Sequence, residues 1–390
     1  MNSKSNYVNK KLDILLICPF MPSLKTSGGA KRAYETSLFL SKEFNLHLIY
    51  FEEKQSLSEA LPRFYKNVYP ISISKNYIFS FLMHFQPYWF GKWYSPKCIE
   101  LVRNLINKNT FYFIQVECSQ LLYLVNIIPK NIFRIYSAYD VSSVSFFRRL
   151  FTKNFIKFIL SFWFLIEVWI YELVHIKNFN ISVFMSMNDE SISHKLFGDF
   201  KSIISENGLT INSTTKGKFR EDKSILNIGF IGSINHPPNM DAINFIINEI
   251  YPRIGRQIKY RFFIAGNPNI KLPRNSFINL GIVEDLSTFF GKIDVLIAPI
   301  FSGSGTRIKI LDSLSYGIPV ISTSIGIEGL PYELSKHIVI ANSASEFVAE
   351  LSNIYISANS TFIQDSILEK YSWTQIFKKQ YKTIYQLINK

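Results

Sequence analysis

Residues 294–324, DVLIAPIFSGSGTRIKILDSLSYGIPVISTS, contain the pattern that decides the fold. The apolar run DVLIAPI (294–300) predicts a buried strand, and the apolar spacing after Thr306 predicts a helix. PVISTS (319–324) predicts the next strand. A strand, a glycine-rich loop, a helix and a second strand in this order are typical of a parallel sheet.

The loop in this stretch has the residue types that bind an anionic ligand. Gly303 and Gly305 allow the backbone to approach a ligand closely, and a helix N-terminus suits a phosphate. Arg307 and Lys309 add positive charge, while Lys309 and Asp312 share a helix face because they are three residues apart. Arg307 and Lys309 are two residues apart, so in a regular helix their side chains would point about 200° away from each other. Both can face the same ligand only if Arg307 still belongs to the loop. Glycine-rich turns also occur where they only pack.

The same alternation runs through the whole chain. We predict further strands at KLDILLICPF, LHLIYF, 111–117, 132–140, 181–187, 203–210, 226–233, 260–267, 277–283 and 337–342. Helices are predicted from about Lys31 to Glu43, over 239–254 and over 285–293. This pattern predicts an α/β protein with two doubly wound Rossmann-like domains that face each other across a cleft. The predicted parts are 1–212, a polar linker at 213–224, 225–372, and a last helix at 373–390 that returns to the first domain.

Composition indicates a globular protein with an anionic partner. The chain has 390 residues, a formal net charge of +14 and 16% aromatic residues, of which 35 are phenylalanines. Basic and aromatic residues together favour a membrane surface at least as much as nucleic acid, and no nucleic-acid-binding motif is present. The three cysteines form no metal-type pair, and the polar first twelve residues do not form a secretory signal. Both observations favour the cytoplasm.

Several enzyme classes are disfavoured by missing motifs. No Gly-x-Gly-x-x-Gly fingerprint follows the first strand of either half, which argues against a dinucleotide enzyme. The Gly-Lys-Ser/Thr phosphate loop, the His-Glu-x-x-His motif and the serine nucleophile elbow are also missing from the sequence.

Residues 145–179 predict an unusually aromatic helix. We do not expect it to cross a membrane, because the run between Lys157 and Glu167 is nine residues long, against about 20 needed. Arg149, Lys153 and Lys157 are four residues apart and line one face, so we predict that this face docks on an anionic membrane. The alternative is a core helix with a solvated basic edge.

Five segments together resemble the C-terminal half of GT-B glycosyltransferases of the group 1, or family-four, type. They are IGFIGSINHPPNMDAINFIINEIYPRI, FFIAGN, LGIVEDL, DVLIAPIFSGSGTRIKILDSLSYGIPVISTSIGIEGL and YSWTQIFKKQYKTIYQLI. The N-terminal ICPFMPSLKTSGGAKRAYETSLFLSKEFNLHLIYF is similar to the first strand, glycine loop and helix of that family. The resemblance implies transfer of a sugar from a nucleotide donor, usually with retention of anomeric configuration and without a bound metal or other cofactor.

The resemblance also implies roles for individual residues. Catalytic roles fall on Arg307 and Lys309, which would stabilise the leaving diphosphate, and on Tyr139, which occupies the place of a family histidine. Donor-binding roles fall on Gly28, Gly29, Gly232, Ser233, Gly266, Val283, Ser304, Gly305, Thr306 and Asp312. Asp312 would hold the ribose hydroxyls.

The sequence departs from the family pattern at three places. Ser304 and Asp312 stand where many members have two glutamates, so only a shortened second acid is present. Tyr139-Asp140 stands where many members have His-Asp. The Arg and Lys that often follow the first C-terminal strand are missing from GSINHPPN, so Arg307 and Lys309 must supply most of the charge.

The function expected from the resemblance is transfer of a sugar from a nucleoside-diphosphate sugar to an acceptor hydroxyl, in surface-polysaccharide or lipid-linked glycan synthesis. The expected location is the cytoplasmic face of the membrane. The enzyme alternative is a GT-B sugar-nucleotide epimerase or hydrolase. The other alternative is a non-catalytic partner subunit that binds nucleotide sugar.

Overall fold

The structure is a computed structural model. It describes residues 11–52, 62–73, 86–148, 150, 155–211, 224–233, 236–255, 258–266, 269–273, 276–303, 305–357 and 363–390.

Two parallel sheets form the framework of the molecule. The first has seven strands in the order β3-β2-β1-β4-β5-β6-β7, and the second has six in the order β10-β9-β8-β11-β12-β13. The first-sheet strands are β1 (Asp13–Cys18), β2 (Asn45–Glu52), β3 (Tyr65–Ser72), β4 (Phe111–Glu117), β5 (Phe133–Ala138), β6 (Ile181–Phe184) and β7 (Ser202–Ile204). The second-sheet strands are β8 (Leu226–Ile231), β9 (Tyr260–Ala265), β10 (Phe277–Gly281), β11 (Val295–Ala298), β12 (Val320–Ser322) and β13 (Val339–Ile340). The predicted α/β class with two doubly wound domains is confirmed.

Helices cover the faces of both sheets. In the N-terminal half these are α1 (Gly28–Leu40), α2 (Pro96–Lys108), α3 (Ser142–Arg148), α4 (Phe155–Ile176) and α5 (Met187–Phe197). The C-terminal half has α6 (Pro237–Phe245), α7 (Leu286–Phe290), α8 (Ile308–Ser315), α9 (Tyr332–Ser335), α10 (Ala344–Ser357), α11 (Asp365–Lys370) and α12 (Trp373–Ile388).

Some predicted element boundaries differ from the observed ones. Helix α1 begins at Gly28 rather than Lys31, because Ser27 caps it by accepting a hydrogen bond from the Ala30 amide. Helix α8 begins at Ile308 rather than Thr306. Strand β3 was not predicted. It is a half-exposed edge strand that contains Pro70, so its sequence lacks the apolar run of a central strand.

The last helix packs on the first domain. On α12, the Phe377 ring lies 5.7 Å from that of Phe39 on α1, and the Tyr381 ring lies 6.2 Å from that of Phe113 on β4. The Tyr381 hydroxyl donates to Gln115 Oε1 at 2.8 Å. The chain therefore crosses between the domains twice, and the two crossings meet where Leu209 forms a bridge with Ser372. Of the predicted linker 213–224, all but Ser224 lies outside the described residues.

Helix α4 carries a broad apolar face that is open to solvent. Its window Phe158–Ile176 is long and apolar enough to cross a membrane by length and composition, with 28% of it buried. Lys157, one of the two charged residues that bound the nine-residue apolar run in the sequence, lies outside this window. Exposed apolar side chains on the helix are Phe158, Ile159, Leu160, Phe162, Trp163, Trp169, Ile170 and Val174.

The opposite face of α4 is fixed to the N-terminal domain. Val168 and Tyr171 are buried there. Buried Glu172 accepts hydrogen bonds from the backbone amides of Ser142 and Ser143, which are the first residues of α3. Burial raises the pKa of Glu172 to about 7.

Candidate active site

The predicted anion loop connects β11 to α8 at the carboxyl edge of the second sheet. Gly303 and Gly305 have φ values of +95° and +76°, in the left-handed region that favours glycine. A Cβ at Gly305 would lie 2.7 Å from the Tyr139 carbonyl oxygen, so the first domain closes directly onto the loop. Ser304 lies outside the described residues.

Arg307 belongs to the loop and not to the helix. It occupies the N-cap position of α8 with an extended backbone, φ −91° and ψ 93°. Its guanidinium donates to the Gly305 carbonyl and, at 3.4 Å, to the Ser302 carbonyl. Arg307 is therefore a loop residue whose guanidinium binds the loop's own carbonyls, and its action on the same ligand as Lys309 stays a prediction.

Lys309 lies against the end of the first C-terminal strand. Its ammonium group donates to Asn239 Oδ1 at 2.7 Å and sits 4.4 Å from the centre of the Phe230 ring. A Cβ at Gly232 would lie 2.7 Å from Lys309 Nζ. Burial, and then the charge of Arg307, lower the pKa of Lys309 to about 7.

Asn239 connects Lys309 to the predicted donor-binding segment at Gly232 and Ser233. Its amide donates to the Ser233 carbonyl at 2.8 Å while its oxygen accepts from Lys309. Asn239 was not predicted from the sequence. Asn239 is the last residue of GSINHPPN, the segment that lacks the Arg and Lys of the family pattern, and this position was the one feature of the sequence that could have indicated it.

Asp312 is paired across the cleft. Its carboxylate accepts a hydrogen bond from Lys31 Nζ at 2.6 Å, and both side chains are 8% exposed. Burial raises the pKa of Asp312, and the positive charge and hydrogen bond of Lys31 oppose that shift. The ribose-binding role of Asp312 stays a prediction, and Lys31 is a partner that sequence reasoning did not find.

The N-termini of α1 and α8 meet at this pair. A Cβ at Gly28 would lie 3.3 Å from Ile308 Cδ1, so the start of α1 packs on the start of α8. Each helix N-terminus carries unpaired N–H groups and partial positive charge. Two such termini and several cations therefore face the same region of the cleft.

Tyr139 forms part of the cleft wall. A Cβ at Gly29 would lie 3.0 Å from the Phe20 ring and 3.2 Å from the Tyr139 ring. The Tyr139 hydroxyl is buried beside the carboxylate of Glu117. Burial raises its pKa, and the charge of nearby Glu117 raises it further. In this conformation Tyr139 presents its ring and carbonyl to the cleft, and its catalytic role stays a prediction.

The remaining predicted donor residues lie along the same edge. Gly232 donates to the Ala265 carbonyl at 3.0 Å, and Gly266 donates to the Gly281 carbonyl at 2.7 Å. These bonds place the ends of β8, β9 and β10 side by side. Val283 follows β10 and is half-buried. The Thr306 hydroxyl accepts a hydrogen bond from the Asn207 side chain, which lies in the crossing segment.

Arg148 also reaches the loop from the first domain and was not predicted. It donates to the Gly303 carbonyl at 2.6 Å and pairs with Glu328 at 2.7 Å. Arg148 ends α3, eight residues after Asp140, and no motif in the sequence marks this position as part of a site. Of the predicted membrane-facing residues, Arg149 and Lys153 lie outside the described residues, as does the side chain of Lys157.

Comparison with known proteins supports the sequence resemblance. Residues 226–356 match the model of the family described as glycosyl transferases group 1. A protein from Klebsiella pneumoniae, described as an uncharacterized 44.6 kDa protein in the cps region, is 26% identical over 196 residues. That alignment covers 41% of this chain and 48% of the relative, so the match spans about half the length of the curated relative.

Solved structures share the architecture over nearly the whole chain. Sucrose-phosphate synthase from Thermosynechococcus elongatus has a TM-score of 0.71 at 10% identity, over 97% of this chain and 100% of that one. Anabaena Alr3699/HepE, solved with UDP and glucose, has a TM-score of 0.67 at 11% identity, over 96% and 100%. The apo lipopolysaccharide outer core galactosyltransferase WaaB has a TM-score of 0.62 at 13% identity, over 96% and 99%. The chain therefore has the GT-B fold, and its residues 226–356 are similar to the group 1 glycosyl transferases.

Proposed function

We propose that this protein transfers a sugar from a nucleoside-diphosphate sugar to an acceptor hydroxyl, with the donor diphosphate held at the start of α8. The observation that carries the proposal is the placement of Arg307 and Lys309 beside the left-handed glycine loop, opposite the N-terminus of α1. Fixed N–H groups and cations around a diphosphate stabilise it most when it leaves with full charge.

The proposed reaction follows from this charge distribution. The bond between the sugar C1 and the diphosphate oxygen breaks, and its electron pair goes to the departing nucleoside diphosphate. The acceptor oxygen forms the new bond to C1, and its proton passes to the departing diphosphate. Arg307 and Lys309 take the charge-stabilising role that a divalent cation has elsewhere, so the proposal includes transfer without a metal ion. Retention of configuration is part of the proposal through the family resemblance.

The acceptor is proposed to be a surface-polysaccharide or lipid-linked glycan. Two comparisons support this class of acceptor. One relative is described by its place in a cps region, and one structural neighbour is a lipopolysaccharide galactosyltransferase. The solved complex of Anabaena Alr3699/HepE with UDP and glucose supports a nucleoside diphosphate as the donor's leaving group.

The test is release of nucleoside diphosphate from a panel of sugar nucleotides, with and without a membrane extract as acceptor. Release that requires acceptor and yields a glycosylated product supports a transferase. Equal release without acceptor, or a changed donor sugar with no release, indicates a hydrolase or an epimerase. Donor binding with no turnover in any mixture indicates a non-catalytic partner subunit.

We infer that the N-terminal domain contacts an anionic membrane through helix α4. The support is the exposed aromatic face, where Trp163 is 55% exposed and Trp89, on a neighbouring turn, is 52% exposed. Tryptophan is enriched where membrane and water meet. The sequence around this helix adds Arg149, Lys153 and Lys157, and each cation near an anionic surface contributes about 1 kcal/mol.

Helix α4 is proposed to lie on the bilayer and not to cross it. Its inner face packs on the domain core, and Glu172 holds the first amides of α3. A crossing would break these contacts and leave a carboxyl group in hydrocarbon. An interfacial helix instead buries only its apolar face in the headgroup region.

Vesicle flotation tests the membrane contact. We expect the protein to float with vesicles that contain phosphatidylglycerol and to float less with neutral vesicles. Replacement of Trp163 and Trp169 by Gln should reduce flotation, and Arg149, Lys153 and Lys157 replaced together by Gln should remove the preference for anionic lipid. Equal flotation on both vesicle types, or identical behaviour of all variants, would contradict the inference.

A further inference from the structure

The N-terminal domain contains a pocket that is separate from the donor site. It has a volume of about 290 Å³ and lies between helices α2 and α4 and two helical turns, Tyr88–Trp93 and Ser119–Asn126. Its lining residues include Gln86, Tyr94, Ile99, Tyr123, Asn126 and His175. Within the described part of the chain, the residues with predicted donor-binding or catalytic roles do not line it. The volume is close to the smallest small-molecule sites, at ~300 Å³, so the pocket suits one small ligand.

The pocket contains a buried amide that lacks a partner. Gln86 is 6% exposed, and its Oε1 atom has no hydrogen-bond partner among the residues that the structure describes. Buried polar atoms are nearly always hydrogen-bonded, because an unpaired one loses its bonds to water without a replacement. The pocket therefore suits a ligand that donates a hydrogen bond to Gln86.

His175, on helix α4, gives the pocket a second hydrogen-bond acceptor. Its Nδ1 lies 2.8 Å from the carbonyl oxygen of Tyr171, which only accepts, so Nδ1 carries the hydrogen. Burial lowers the pKa of His175, and the bond to Tyr171 opposes that shift only in part. The ring is therefore neutral at pH 7, and its Nε2 atom is an acceptor.

Aromatic rings form the apolar part of the pocket. The rings of Tyr94 and Tyr123 lie 5.1 Å apart and are inclined at 48°, and Ile99 of α2 lies beside them. A sugar ring has C–H groups on its faces, which pack on the negative face of an aromatic ring, and hydroxyl groups around its edge. Hydroxyl groups both donate and accept, so they match acceptors such as Gln86 as well as the exposed amide of Asn126.

We propose that this pocket is a glycan-binding site, which holds one sugar unit of the acceptor at a place other than the unit that receives the transferred sugar. This inference rests on the proposed function. Trp93 connects the pocket to the carboxyl end of β1, because its Nε1 donates to the Pro19 carbonyl at 2.8 Å and its carbonyl accepts from the Tyr123 hydroxyl at 3.0 Å. Ligands of parallel sheets bind at the carboxyl ends of the strands, so the pocket adjoins the edge that the acceptor must reach.

The alternative occupant is a hydrocarbon chain of a lipid, since helix α4 also has an exposed apolar face. A hydrocarbon chain cannot donate a hydrogen bond. It would leave the acceptors of Gln86 and His175 unpaired and out of contact with water, at a cost that a ligand with hydroxyl groups avoids. The buried polar groups of the pocket therefore favour a sugar.

Saturation-transfer NMR tests the site with the methyl glycosides of glucose, galactose, mannose and N-acetylglucosamine, titrated against the full chain. We expect at least one glycoside to bind, with the strongest transfer to the C–H groups of its ring. Gln86→Met keeps the length of the side chain and should weaken binding about three- to tenfold, the loss of one neutral hydrogen bond. Asn126→Trp should abolish binding by filling the pocket. Asn107→Trp, at an exposed position of α2, is the matched control and should bind like wild type.

Inorganic pyrophosphate, which the donor site would bind, should not displace the glycoside. Three results would overturn the proposal: no glycoside binds wild type, a folded Asn126→Trp protein binds as wild type does, or pyrophosphate displaces the glycoside. Hexanol that binds wild type and not Asn126→Trp, with no glycoside bound, would assign the pocket to a hydrocarbon chain. If the protein binds a glycoside but never releases nucleoside diphosphate, the proposed function alone is overturned and the glycan site remains.

Discussion

At the scale of single residues, the sequence predicted which side chains belong to the loop but not what they contact. Arg307, Lys309 and Asp312 were found because a glycine-rich turn before a helix has a chemical meaning by itself. Lys31, Arg148 and Asn239 were missed because their contacts join positions 70 to 281 residues apart. Such contacts are set by the packing of two domains, and a local pattern does not encode them.

Lys309 should make donor binding depend on pH. Burial lowers the pKa of Lys309 to about 7, so Lys309 is charged at pH 6 and mostly neutral at pH 8.5. A diphosphate favours the charged form, so binding above pH 7 must take up a proton. We expect pyrophosphate affinity to fall between pH 7 and 8.5, by up to about tenfold per pH unit.

The control for the pH effect is Lys309→Arg, because arginine stays charged throughout this range. Pyrophosphate itself titrates in the same way with both proteins. The difference between their affinity–pH profiles therefore reports on Lys309. Parallel pH profiles for wild type and Lys309→Arg would show that Lys309 does not titrate in this window.

Asp312 and Lys309 should have different kinetic effects although they share a helix face. If Asp312 holds the ribose, that contact is equal in the ground state and the transition state. Asp312→Ala should then raise the donor KM and leave turnover at saturation nearly unchanged. Measured nucleoside diphosphate release at varied donor concentration decides this, and a drop in kcat with constant KM would contradict the ribose role.

At the scale of elements, central strands were the most predictable parts. The run FYFIQVE matches β4 from Phe111 to Glu117, because a strand buried on both faces reads as a continuous apolar run. Strand β3 was missed because its half-exposed residues give no such run. The shift of the α8 start by two residues has a functional consequence, since it places Arg307 in the loop.

Arg32 should be the residue on α1 that matters most for stability. It is buried and donates to the Glu206 carbonyl, to Asn207 and to Ser205, and it stacks 5.5 Å from the Phe377 ring of α12. Arg32→Met leaves these three buried acceptors without the arginine donor, so we expect a loss of about 3–5 kcal/mol.

Thermal unfolding measures this effect. A loss of that size lowers Tm by roughly 10 °C for a domain of about 200 residues. Arg103→Met on exposed α2 is the matched control and should change stability by less than about 0.5 kcal/mol. A melting temperature for Arg32→Met equal to that of the control would show that the buried network around Arg32 is not stabilising.

At the scale of the whole molecule, the closed cleft depends on a small number of polar contacts. The buried pair of Lys31 and Asp312 and the bonds from Arg148 and Asn207 all join the first domain to the segment 303–312. The sequence predicted two domains and a cleft, because strand–helix alternation implies them. It did not predict the degree of closure, which depends on these side-chain contacts.

Lys31→Met should open the cleft. It leaves the Asp312 carboxylate buried without its partner, and separation of the domains relieves this by exposing the charge to water. Small-angle scattering should show a larger radius of gyration for Lys31→Met than for wild type. A Lys31→Met, Asp312→Leu double variant should return toward the closed value, because no buried charge remains. Identical radii for all three proteins would show that the pair does not control closure.

The central claim is that the loop and the start of α8 stabilise a leaving diphosphate, and turnover of Lys309→Ala at saturating donor tests it most directly. Loss of one fixed electrostatic group at developing charge costs about 10²–10³ in rate. We therefore predict that kcat for nucleoside diphosphate release falls by about this factor, with a smaller change in donor KM. The melting temperature must show that the variant is folded. A folded Lys309→Ala protein with wild-type kcat would contradict the account.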